Sequence, residues 1–190
     1  MIALILAAAL NCSAFHIDPL ASQSFAPTAA THAPGSCHVR MSHGYPIPDP
    51  ACTPGAINPT VTAKVLRNPA FRTACVRDMV TSESRKRVVY LWYGIAPPSN
   101  NRGPTQTCEL DHVDSLGLAA ADTLANVWPE CGPPGVPVGQ RYFKIKDGVE
   151  DRLMKEVRDA PAGTADQVLS SIQRQIAADW TVYLPANEQH

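Results

Sequence analysis

None of the six cysteines forms a C-x-x-C pair, so the chain encodes no zinc ribbon or knuckle. Its first apolar run, Ile2 to Leu10, has nine residues, where a membrane span needs about 20. No lysine or arginine precedes Arg40, so that run lacks a basic flank. Excess charge is missing as well: the formal net charge is -1, which by itself points to no polyanion partner. No recognition-helix motif is evident, which argues against a dedicated DNA-binding protein. Histidine runs out early, and after His112 only the terminal His190 remains.

At 190 residues the length suits one domain with a leader and a linker. Residues 1–26 read as a secretory leader, with cleavage expected after Ala14 or near Ala26, and predict a secreted or periplasmic protein. Residues 27–53 are rich in Pro, Ala, Ser and Thr and predict an extended linker, because proline fixes φ and removes backbone donors. The domain proper is expected over 54–184, with a disordered tail at 185–190.

Residues 54–103 read as helical. Asn58-Pro59 has the form of an N-cap with proline at the first helical position. Ser82 to Tyr93 predicts a helix with Val88, Val89, Leu91 and Trp92 inward and Arg85, Lys86 and Arg87 near its exposed start. Between Thr60 and Arg102 eight basic residues stand against two acidic ones, either a phosphate-neutralising surface or a solvated helix face. Tyr142 to Val157 predicts a helix on which Asp147 and Glu150, three apart, share a face. Thr164 to Gln167 reads as a capping box opening a last helix with Leu169, Ile172, Ile176 and Trp180 at helical spacing.

Five cysteines lie beyond the leader, a pattern that fits an oxidising compartment better than free thiols do. Cys108 and Cys131 bracket two short apolar segments, and a disulfide between them would clamp the open end of a hairpin. Cys52 and Cys75 form a second candidate pair, leaving Cys37 over.

The chemistry concentrates in Cys108 to Glu130, C-E-L-D-H-V-D-S-L-G-L-A-A-A-D-T-L-A-N-V-W-P-E. Two strands joined by a loop would bring Asn126 back beside Asp111 and His112. A carboxylate to hold a hard cation, an imidazole to deprotonate water and an amide to orient it are the residue types of a metal-dependent hydrolase.

D-H, a loop, then N-hydrophobic-W-P resembles the ββα-metal (HNH-type) endonucleases. Cys108 to Pro133 followed by Arg141 to Leu153 is similar to a group of small bacterial HNH-endonuclease-like proteins. The likeness reaches back through Phe71-Arg72-Thr73 and Trp92-Tyr93-Gly94 and forward to Ala178-Asp179-Trp180-Thr181. It implies an α+β fold: a mainly helical domain around a ββα core (104–158), closed by a C-terminal helix (164–184). It implies a phosphodiester hydrolase with His112 as general base and Asn126 orienting it. Asp111, Asp147 and Glu150 would hold one divalent ion, Mg²⁺ ahead of Mn²⁺, Ni²⁺ or Zn²⁺. Arg141, Lys144 and Lys146, with Arg85, Lys86 and Arg87, would meet the phosphates of a nucleic acid, DNA ahead of RNA, and no membrane span is expected. The chain departs from the family pattern in three places. Ala119-Ala120 stand for Gly-Gly, Gly117 stands for Glu, and the second histidine is absent. These departures support an alternative, a catalytically inactive, disulfide-braced HNH-like binding or envelope-associated module.

Overall fold

The computed structural model describes residues 12–77 and 83–189, and the apolar run Ile2 to Leu10 lies outside them. The chain is an α+β protein in which small antiparallel ladders pack among helices. The strands are β1 (Gln23–Ser24), β2 (Arg40–Ser42), β3 (Tyr45–Ile47), β4 (Ala56–Ile57), β5 (Cys108–His112) and β6 (Val127–Cys131). They pair as β1 with β4, β2 with β3 and β5 with β6. Short helices α1 (Ala63–Leu66), α2 (Glu83–Lys86) and α3 (Val88–Trp92) precede β5, and α4 (Tyr142–Asp159) and α5 (Ala165–Asp179) follow β6.

The amino-terminal third differs from expectation. Cys12 is disulfide-bonded to Cys75, Phe15 packs edge-on against Phe71, and β1 pairs with β4. Residues 12–26 are therefore built into the fold, and cleavage near Ala26 would remove β1 and half of that disulfide. Residues 27–53 are no extended linker either. They carry the β2–β3 hairpin and a buried disulfide, Cys37–Cys52. The expected Cys52–Cys75 pair is thus replaced by two others, because β1 and the β2–β3 hairpin bring different sulfurs together. The Cys108–Cys131 bridge is present, joining the first residue of β5 to the last of β6, which pair across the ladder. Over separations of 15, 23 and 63 residues, such bridges stabilise by roughly 3 to 4 kcal/mol each in the chain-entropy model.

Local signals were partly overruled. Asn58 caps no helix: its side chain bonds Thr60 and the Asp18 carbonyl, and α1 starts at Ala63. The Ala63 N–H is capped from across the core by Asp166 of α5, at 2.8 Å. Thr164 makes no cap, donating instead to the Pro161 carbonyl. The predicted 82–93 helix is broken at Arg87, and Leu91 faces solvent. The tail is held to its last described residue, Gln189, which donates to the Leu184 carbonyl.

The main core joins one face of α4 (Val149, Leu153, Val157) to one face of α5 (Leu169, Ile172, Ile176) and to Leu116 and Leu118 of the β5–β6 loop. A second cluster sets Val89 and Trp92 of α3 against Val113, Trp128 and the Cys37–Cys52 disulfide. The hairpin is held between these clusters. Within its loop Ala119 is fully buried at φ +63°, a left-handed conformation costing roughly 1 kcal/mol for a residue with a Cβ. Gly117 leaves room for Met154: a Cβ there would stand 2.0 Å from its sulfur, so a glutamate at this position would collide.

Candidate active site

Burying a charge is expensive unless it is paired, and such groups gather at functional sites. Among the described residues, every buried charged side chain belongs to the β5–β6 hairpin, its loop, α4 or the residue before it, or touches one that does. Alternation along β5 puts Glu109 and Asp111 on one side and His112 on the other. α4 packs against both strands and brings Lys146, Asp147 and Glu150 to the carboxylate side.

Lys146 is the centre of that side. Its ammonium, 1% exposed, lies 2.7 Å from Asp111 Oδ2 and 2.7 Å from the His112 carbonyl, and it also holds Glu150. The Asp111 contact is an ion pair without a well-aligned hydrogen bond. Burial alone would lower the Lys146 pKa, but Asp111, Glu150 and Glu130 hold it above its ordinary value. One cation serves too many carboxyls. Burial, then the charges of Asp111 and Asp147, push Glu109 up to about 7. Burial pushes Glu150, Glu130 and Asp114 up as well. Neither carboxyl oxygen of Glu130 has a hydrogen-bond partner, and burial, then the charge of Asp111, raises its pKa.

The imidazole has partners of its own. His112 Nε2 lies 2.7 Å from Asp122 Oδ1, and the same oxygen lies 2.6 Å from Lys86 Nζ. Burial would raise the Asp122 carboxyl, but the His112 hydrogen bond and the Lys86 ammonium hold it down at about 2. Asn126 does not orient the ring. Its amide donates to the Asp114 and Ala121 carbonyls and accepts from the Asp114 and Ala56 N–H groups. Those four bonds use its whole capacity, so it pins the loop behind β5 instead.

His112 lines two clefts. The larger, about 390 Å³, also meets Arg77, Arg87 and Tyr90. The smaller, about 150 Å³, meets Arg77, Glu109, Asp111, Asp147 and Glu150. Several expected phosphate ligands are elsewhere. Lys146 and Lys86 are buried in ion pairs, and Arg141 is buried with its guanidinium on the Pro133 carbonyl. Arg85 and Arg87 are exposed, and Lys144 is half-exposed beside Asp147 at 2.6 Å. Tyr90, Trp92 and Tyr93 are buried, as expected for core aromatics.

Reading the sequence alone missed Asp122, Glu109, Glu130 and Arg77. Two signals were available: Asp122 is the lone acid in a run of small residues, and Glu109 alternates with Asp111 on a strand. A further group, His32 with Cys37 and Cys52, has metal-binding residue types within 4.8 Å of one another. Its sulfurs are joined in a disulfide, which offers no thiolate.

All cysteines are paired, which fits an oxidising, extracellular type of environment. No described helix is long and apolar enough to cross a membrane. No family model, curated protein or solved structure matches the chain.

Proposed function

We propose that the chain is an exported, metal-dependent endonuclease of the HNH type, hydrolysing nucleic-acid phosphodiester bonds at His112, with DNA ahead of RNA as substrate. In this reading β5, β6 and α4 are a ββα-metal core. The observation that carries it is the pair of clefts meeting at His112, both lined by Arg77 and Glu109, with Arg87 added in the larger and Asp111, Asp147 and Glu150 in the smaller. Phosphate oxygens suit the first and a hard cation suits the second.

The donor set fits such an ion. Glu109, Asp111, Asp147 and Glu150 offer only oxygens, and a divalent cation would relieve what raises Glu109, burial first and then the charges of Asp111 and Asp147. Oxygen ligands favour Mg²⁺, with Mn²⁺, Ni²⁺ or Zn²⁺ behind it. When bound, the ion supplies charge stabilisation to the phosphoryl and leaving oxygens. The chain supplies the rest: His112 takes a proton from the attacking water, and Arg77 and Arg87 orient the phosphodiester.

One observation favours a second reading, an inactive HNH-like binding module. The Lys146 ammonium already sits on Asp111 and Glu150, where a metal would be expected. Plasmid nicking by the full chain separates the two. It is run with Mg²⁺, Mn²⁺, Ni²⁺ or Zn²⁺, with EDTA, and beside His112→Ala. Cleavage that needs both metal and His112 supports the nuclease. Folded protein that neither binds these ions by calorimetry nor cleaves DNA or RNA supports the module.

A further inference from the structure

We propose that Asp122, braced by Lys86, is the positioning residue for His112: it fixes the Nε2–H tautomer and so makes Nδ1 the nitrogen that meets water or substrate. The catalytic part of this statement rests on the hydrolase reading above. The positional part does not.

The argument starts from hydrogen-bonding capacity. Ionised Asp122 can only accept, and its Oδ1 lies 2.7 Å from His112 Nε2. Nε2 must therefore carry the hydrogen, and in a neutral ring the lone pair is left on Nδ1. The carboxylate is in no position to wander. Asp122 is 1% exposed, and Lys86, itself 2% exposed, reaches the same Oδ1 at 2.6 Å. Lys86 closes α2, whereas Asp122 ends the buried Ala119-Ala120-Ala121 run, so the ion pair ties two elements together around the ring. Asn126, the residue that the spacing offered for this task, has no free donor or acceptor left. The imidazole is 12% exposed and borders both clefts, so fixing its tautomer fixes which nitrogen is available to the reaction. A purely structural Lys86–Asp122 pair would give the same stability without setting the tautomer, and this difference can be measured.

The experiment uses the full chain, labelled with ¹⁵N-histidine and free of added metal, with the His112 signal identified by its loss in His112→Ala. Long-range ¹H–¹⁵N correlation should show His112 as a single Nε2–H tautomer, and Asp122→Ala should turn it into a mixture. With Mg²⁺ and a nucleic-acid substrate, Asp122→Ala should lower kcat by about 100-fold or more while KM stays within about threefold. Asp122→Glu should recover part of kcat. Should Asp122→Ala fail to fold, Lys86→Met combined with Asp122→Ala removes both charges of the pair, and the same readouts apply. A wild-type Nδ1–H tautomer, or wild-type kcat in the folded variant, overturns the proposal. Absence of any cleavage by the wild type would overturn the hydrolase reading and with it the catalytic role. The tautomer would still decide whether Asp122 positions the ring.

Discussion

Lys146 Nζ stands 2.7 Å from Asp111 Oδ2, so a lysine from the second turn of α4 neutralises the acid that precedes the histidine on β5. Strand and helix are bound through one buried cation, whose other partners are Glu150 and the His112 carbonyl. The site is thus a charge cluster made by the protein's own side chains.

Replacing Lys146 by Met keeps the volume and removes that cation. Asp111 and Glu150 would then be buried without their partner, a loss of about 3–5 kcal/mol. Urea denaturation at neutral pH should show it. Under the nuclease reading, millimolar Mg²⁺ should recover part of the loss. A change below about 1 kcal/mol would mean that the cluster contributes little to folding.

His112→Ala and Asn126→Ala should separate two roles that the sequence presents side by side. Without the imidazole, Asp122 keeps Lys86, so stability should change by less than about 1 kcal/mol, while under the nuclease reading cleavage disappears. Without the Asn126 amide, four backbone groups lose partners in a buried loop, which should cost about 3 kcal/mol or more. Paired thermal and chemical denaturation of the two variants checks this.

Stability should peak in mild acid. Glu109, raised to about 7, and Glu150, also raised, favour the folded state fully below their unfolded values, and that contribution is lost as pH climbs through the folded ones. Asp122, held at about 2, works the other way: its contribution is present above its unfolded value and lost as pH falls toward 2. Between these windows the Tm should be highest at about pH 4 to 5. Glu109→Gln should flatten the decline toward neutral pH, and so should a divalent ion under the nuclease reading. A Tm that rises steadily from pH 5 to 8 would contradict the assignment.

The disulfides should be measurable one at a time. Peptide mapping without reduction should return Cys12–Cys75, Cys37–Cys52 and Cys108–Cys131. Cys108→Ser with Cys131→Ser should cost about 3 kcal/mol and lower the hydrogen-exchange protection of β5 and β6 first, since the bridge closes their open end. Detection of Cys52–Cys75 instead would overturn the arrangement of the amino-terminal third.

The sequence by itself determined the mixed helix and strand content and the two long carboxy-terminal helices. It also determined the hairpin whose ends are Cys108 and Cys131. Each follows from a local signal, a 3.6-residue apolar period or a pair of short apolar runs around a loop. It also singled out Asp111 and His112, because an acid–imidazole pair at a strand end is written in consecutive residues. The tertiary structure alone decided what those two touch. Asp111 meets Lys146, 35 positions away, and His112 meets Asp122, held by Lys86 from another helix. The same distance effect accounts for the rest. Lys86, Arg141 and Lys146 read as free cations, yet each is buried on a partner from another segment. Residues 12–53 looked like leader and linker, yet they are held by two disulfides and by pairing with β4. Local composition sets what a segment can do alone, and long-range partners set what it does in the fold.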